Sequence, residues 1–315
     1  MLHLGFDVGG TKVAAGLVDE DSKIAAKLSR PFPNGTDGAS FAAFLRSMAE
    51  ELCREAGVSV DTLPRVGVAL PGTLDGSRET VIHAHNLGFH QLPLAGLLRE
   101  AFPESEVYLL NDADAATLAE LKAGALRGCQ SGILLTLGTG LGGGVVSRGE
   151  LFCGGLGRGV ELGHMQLYRG GRRCSCGQRG CAERYCSATA LAEAGRRAIS
   201  RAPESLLARR AKGLPEKAGA KAVVDCAREG DPTACAVFNA YLDDLAAFIA
   251  SLVDLLDPEV IAIGGGLGQS GEFLCAPLQR LTAEKCFFQS CGKIVPARFG
   301  NDAGMVGAAL AGGPA

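Results

Sequence analysis

Two stretches decide the fold: Gly5–Val18, GFDVGGTKVAAGLV, and Leu135–Val146, LTLGTGLGGGVV. Each reads as a short β-patterned run, a turn rich in Gly and Thr, and a second β-patterned run. This echo predicts a two-lobed chain with related halves. Glycines in such turns let successive backbone N–H groups point at one spot with no Cβ in the way, and a nearby Thr hydroxyl or Lys ammonium adds donors. Asp7, Gly9, Gly10, Thr11 and Lys12 in the first turn, and Gly138, Thr139 and Gly140 in the second, therefore read as cradles for ATP phosphates. A third cradle is expected at Gly264, Gly265 and Gly266, behind the apolar run ending at Ile263, facing the adenosine. Either of the first two alone is as well explained by a tight turn; the argument rests on the two together.

Two other phosphate motifs are excluded. Gly138, Gly140 and Gly143 satisfy GxGxxG, but Val145, Val146 and Ser147 continue as a strand, where a dinucleotide fingerprint must open a helix. The signature GxxxxGK[ST] does not occur. Further β-patterned runs at Arg65–Leu70, Val107–Leu110 and Val260–Ile263 alternate with helical periodicity at Phe41–Ala56, Leu92–Ala101, Ala113–Leu126, Ala188–Ser200, Thr233–Leu256 and Glu272–Cys286. The class is α/β. The basic stretch Arg196–Lys217, with Pro203 and Pro215, reads as a solvated connector rather than an anion-binding stripe.

At 315 residues the chain exceeds the usual size of a single core, which agrees with two lobes. A net charge of -3 gives no electrostatic reason to expect a nucleic-acid partner. No apolar run approaches the roughly 18 residues of a membrane span, and the first residues lack the pattern of a secretory signal. A cytoplasmic location is expected. There twelve cysteines argue for thiols or a metal site, since disulfides are rare in a reducing compartment.

Spacing separates the two. His164, Cys174, Cys176 and Cys181 include three thiols within eight residues, interrupted by Gly177 and Gly180, which permit tight turns. Thiolates and neutral imidazole are preferred ligands of tetrahedral Zn2+, and closed four-coordination implies a structural ion. A redox pair is the weaker reading, because CxC followed by CxxxxC is not a CxxC motif. Cys186 rivals His164 as fourth ligand. The other cysteines lack metal-like spacing and read as small core residues.

Together these motifs resemble the ROK family of sugar kinases and repressors, itself similar to the actin and hexokinase superfamily. The resemblance is carried by DxGGTK at Asp7–Lys12, the Asn111–Asp112–Ala113 turn, GTGxGGG at Gly138–Gly144, ExGH at Glu161–His164 and CxCGxxGCxE at Cys174–Glu183. It implies a two-lobed, actin-like (ribonuclease H-like) ATPase fold with an interlobe cleft. The expected small α/β lobe covers residues 1–115 and 298–315, and the large lobe, with the zinc motif, residues 116–297. It also implies transfer of the γ-phosphoryl of ATP, with Mg2+, to the 6-hydroxyl of a hexose, and a homodimer without membrane or nucleic-acid partners.

On this resemblance Asp112 is the general base, and Gly72, Asn86, Asn111, Glu161, His164 and Glu183 contact the sugar, His164 also binding zinc. Each has a duller explanation. Asn111 or Asp112 follows a strand and precedes a helix, where it would serve as a cap, and Glu161, His164 and Glu183 flank the cysteines as supports or surface charges. The chain departs from the family where Phe89 stands near the position of a frequent Trp, and where Val160 precedes Glu161 in place of a common Gly. Glucose is the first expected substrate, with N-acetylglucosamine or N-acetylmannosamine as the alternative. A sugar-responsive repressor would need a DNA-reading helix-turn-helix before the first hairpin.

Overall fold

The computed structural model describes residues 1–313. In chain order the elements are β1 (Leu2–Val8), β2 (Lys12–Asp19), β3 (Ile24–Pro31), α1 (Gly38–Ala56), β4 (Arg65–Leu70), β5 (Thr73–Leu74), β6 (Val81–Ala84), β7 (Phe89–Leu92), α2 (Leu94–Ala101), β8 (Glu106–Asn111) and α3 (Asp112–Ala123). There follow β9 (Ser131–Leu137), β10 (Leu141–Ser147), β11 (Glu150–Phe152), α4 (Glu183–Cys186), α5 (Ala188–Ile199), α6 (Leu206–Arg210), α7 (Ala220–Arg228), α8 (Pro232–Leu256), β12 (Val260–Gly264), α9 (Gly265–Gly268), α10 (Glu272–Lys285), β13 (Lys293–Pro296) and α11 (Ala303–Ala309). The chain forms two compact units.

The first unit comprises Met1–Gly128, Gly144–Val160 and the segment from Asn301. Its main sheet runs β3-β2-β1-β4-β8; β1 and β2 pair antiparallel, while β4 lies parallel to both β1 and β8. Helix α1 covers this sheet with a stripe of Phe41, Leu45, Met48, Leu52 and Cys53, the three- and four-residue spacing of an apolar helix face. It starts at Gly38, earlier than the apolar pattern suggests, because Asp37 caps it by accepting from Ser40 N at 2.8 Å. Phe89 belongs to this core, 5.2 Å from the Phe41 ring.

Helix α11 packs on β1, β4 and α3. Glycine makes the approach possible: a Cβ on Gly67 of β4 would lie 1.9 Å from the Ala308 carbonyl oxygen, and one on Gly307 would lie 1.7 Å from that of Ala115 in α3. A smaller sheet, β5-β6-β7, follows β4.

The second unit comprises Cys129–Gly143 and Glu161–Gly300. In it β12 lies parallel to β9 on one side and to β13 on the other, with the start of β10 next to β9. The turn after β9 leads into a strand, as the continuation through Val145 indicated. Helix α8 packs on α5, α7 and α10. It revises one expectation: Pro232–Leu256 is long and apolar enough, by length and composition, to cross a membrane, although Asp243 and Asp244 interrupt the apolar run. Leu242, Leu245, Ile249, Leu252 and Val253 are buried in the unit's core. The Arg196–Lys217 stretch is likewise more than a solvated connector. It holds α6, whose Leu207 and Ala208 are buried and whose Arg210 pairs with Glu229 at 2.6 Å.

Candidate active site

In the first unit the turn between β1 and β2 is closed by Gly9 N–H donating to Lys12 O at 2.8 Å, with Thr11 and Lys12 exposed. Asn86 lies beside it: a Cβ on Gly10 would stand 3.3 Å from the Asn86 carbonyl oxygen. Asp7 closes β1 next to this turn. Burial, the neighbouring Asp112 carboxylate and Asp302 raise its carboxyl to about 6, burial contributing most and Lys12 opposing. No local motif points to Gly304, yet a Cβ there would lie 2.9 Å from the Asp7 Cγ. Residue 304 is far along the chain, and its role becomes visible only once α11 is packed.

Helix α3 begins at Asp112, where β8 ends. Asn111 is its cap: Oδ1 accepts from Ala113 N at 2.8 Å and from Asp114 N at 3.4 Å. The same amide donates through Nδ2 to the Gly72 carbonyl at 3.1 Å, fixing the loop after β4. The duller reading of Asn111 is therefore correct as far as it goes, and its orientation is set by two loops at once. Asp112 accepts from Ala113 N at 2.9 Å and keeps an exposed surface. The protein crowding its carboxylate nonetheless holds its pKa above the ordinary range by desolvation, with the backbone N–H bonds opposing. Residue 112 is thus open to a reactant, while its carboxyl holds a proton more readily than a free Asp does.

In the second unit the Gly138–Gly140 turn is braced from behind by α5. Ala188 N–H donates to Gly138 O at 2.9 Å, and the Thr189 hydroxyl donates to Thr139 O at 2.7 Å. Gly264, Gly265 and Gly266 run from the end of β12 into the one-turn α9, and a Cβ on Gly265 would lie 2.6 Å from the backbone of Leu137. These two glycine segments are thus neighbours at the ends of adjacent parallel strands.

The cysteine segment forms a knuckle in which Cys174 N–H donates to Gln178 O and Gly180 N–H to Arg172 O, both at 2.9 Å. One donor atom from each of His164, Cys174, Cys176 and Cys181 lies within 4.8 Å of all the others. Cys176 and Cys181 sulfurs are 3.6 Å apart, and Cys174 Sγ is 3.7 Å from His164 Nδ1. Tetrahedral bonds of about 2.3 Å place sulfurs roughly 3.8 Å apart, so the donor set fits a single ion. Cys186 is outside this group; it is buried at the end of α4 and takes no part.

Glu161 precedes the short helical turn Leu162–His164, and His164 ends it. Glu183 ties the knuckle to the second glycine turn: Oε2 accepts from Leu141 N at 3.1 Å, and Oε1 accepts from Cys174 Sγ at 3.7 Å.

The model of the ROK family matches residues 3–311. The chain belongs to the ROK family. This ROK protein is 37% identical over 311 residues to the glucokinase of Thermotoga maritima, covering 97% of this chain and 95% of that one. It is 30% identical to an N-acetylmannosamine kinase of Escherichia coli, covering 98% of each. Among solved structures it resembles a ROK family glucokinase from Streptomyces griseus in complex with glucose and AMPPNP, with a TM-score of 0.84, 30% identity and 98% of each chain covered. The fold is that of the actin-like ATPases.

Proposed function

We propose that this ROK protein is an ATP-dependent hexose kinase that phosphorylates the 6-hydroxyl of glucose. The observation that carries this reading is the Asp7 and Asp112 pair beside the first glycine turn, in a chain related end to end to a glucokinase. A sugar hydroxyl is a poor nucleophile until a positioned carboxylate accepts its proton as the P–O bond forms. Asp112 is that acceptor; desolvation raises its pKa and so makes its carboxylate a better base than an ordinary Asp. Asn111, held through Gly72 and the start of α3, orients one sugar hydroxyl, and Asn86 and Glu161 hold others. Thr11, Lys12, Thr139 and the glycine N–H groups receive phosphate oxygens. Asp7 holds the Mg2+ that accompanies ATP and offsets phosphate charge.

His164, Cys174, Cys176 and Cys181 hold a structural zinc ion, which fixes the knuckle. With Nδ1 facing the thiols, His164 Nε2 is left to meet a sugar hydroxyl. Glu183, which joins the knuckle to the second turn, then serves both sugar and nucleotide.

The N-acetylmannosamine kinase relative supports a second reading, an N-acetylhexosamine kinase using the same residues. A coupled ADP-release assay over glucose, N-acetylglucosamine, N-acetylmannosamine, mannose and fructose separates them. Glucose is expected to give the highest kcat/KM. Preference for an acetamido sugar selects the second reading, and no turnover with any of the five rejects both.

A further inference from the structure

The loop between β11 and Glu161 contains glycines 154, 155, 157 and 159 and has no strand or helix of its own. A chain so rich in glycine has much conformational freedom to lose, so its order requires an anchor. The neck is closed by Gly159 N–H donating to Cys153 O at 2.7 Å. It rests on Asp114 in the first turn of α3, since a Cβ on Gly159 would lie 3.7 Å from Asp114 Oδ2. Asp114 is only 4% exposed.

One partner of that carboxylate is Arg78. One of its nitrogens, Nη2, donates both to Asp114 Oδ2 at 3.2 Å and to Cys153 Sγ at 2.7 Å. Arg78 lies in the turn joining β5 and β6 and holds a left-handed backbone, φ 59°, which a non-glycine residue adopts only where its surroundings impose it. Asp75 imposes it by accepting from Glu79 N and Thr80 N at 2.8 and 3.0 Å. The loop's tip meets the same turn, a Cβ on Gly157 lying 3.2 Å from Gly76. All these groups belong to the first unit; Asp114 meets the machinery described above only through its backbone N–H, which donates to Asn111 Oδ1.

We propose that the Arg78–Asp114 ion pair is a clasp that positions the Cys153–Val160 loop, and with it Glu161, which follows by one peptide bond. Arg78 and Asp114 are then positioning residues for hexose binding, a role that rests on the kinase reading for Glu161. Because the carboxylate is buried, replacing either partner removes a charge-assisted contact beside the loop and alters the loop's seat.

The test compares Asp114→Asn, the near-isosteric change, with Arg78→Gln, on the more exposed side of the pair, and with the double variant. Amide hydrogen exchange across 153–160 is read on the free protein, and KM and kcat for the preferred hexose are read with ATP. Faster exchange confined to this loop, a KM raised about 10-fold or more and a kcat within about twofold are expected. The double variant is expected to match the worse single one, since both changes break one interaction. Unchanged exchange in the loop, independent multiplicative effects on KM, or a loss confined to kcat would each overturn the clasp. Loosened exchange supports it even if the wild type phosphorylates none of the hexoses, a result that would instead defeat the kinase reading.

Discussion

Asp112 and Asp7 are neighbouring carboxylates to which the proposed reaction gives different work. Replacing the Asp112 carboxylate with an amide of the same shape removes the proposed proton acceptor without changing the side chain's size. Asp112→Asn is therefore expected to retain hexose binding by calorimetry while kcat falls by about 10²- to 10⁴-fold; near-normal turnover would remove Asp112 from its role. Asp7 titrates near 6 in the folded chain, above its ordinary 3.8. It must be ionised to hold a cation, so kcat/KM is expected to fall as pH drops through about 6. Stability has the opposite sign. A carboxylate whose folded pKa is raised favours the fold most when protonated, and that contribution is lost as pH rises through 6. Asp7→Asn is thus expected to raise Tm by a few degrees at pH 8, with little gain at pH 4, while abolishing turnover. A lower Tm at pH 8 would show that the carboxylate is stabilising.

The elements that present these residues depend on close backbone approach as much as on side-chain packing. Helix α11, all small residues apart from Met305 and Val306, can lie against β4 and α3 only because Gly67 and Gly307 add no Cβ. Gly307→Leu is expected to destabilise the chain by about 1–3 kcal/mol or more, as overpacking does, read as a lower denaturant midpoint. Loss of activity should accompany it, since α3 carries Asp112.

The same elements show what could be read from residue order. The β1–β2 turn, the cysteine knuckle and the start of α3 are legible because their residues are local: each is a strand end, a tight turn or a cap set by neighbours within a few positions. Gly304, Arg78 and Asp114 are not, because their roles arise from contacts between distant segments. Asn111 lies between these cases. Its capping role was legible, whereas its hydrogen bond to Gly72 required the structure.

For the whole molecule, the family match over residues 3–311 and a donor set that fits one ion make the proposed zinc open to direct test. Elemental analysis is expected to find one zinc per chain, and Cys176→Ser to lower that content and weaken hexose binding together, since Glu183 joins the knuckle to the second glycine turn. A zinc-free chain with unchanged hexose affinity would separate metal from function. The β5–β7 sheet and helix α6 escaped the sequence reading because their segments are short and lack a clear period.

The first unit takes residues from both ends of the chain, with α11 seated on β1 and β4. During synthesis, therefore, β1 and β4 wait for α11, made only after every segment of the second unit, before that face of their sheet is covered. The second unit, whose segments are all made before then, is free to mature while its neighbour is still a nascent chain. Truncation a few residues short of Ala309 should be far more damaging than its small size suggests.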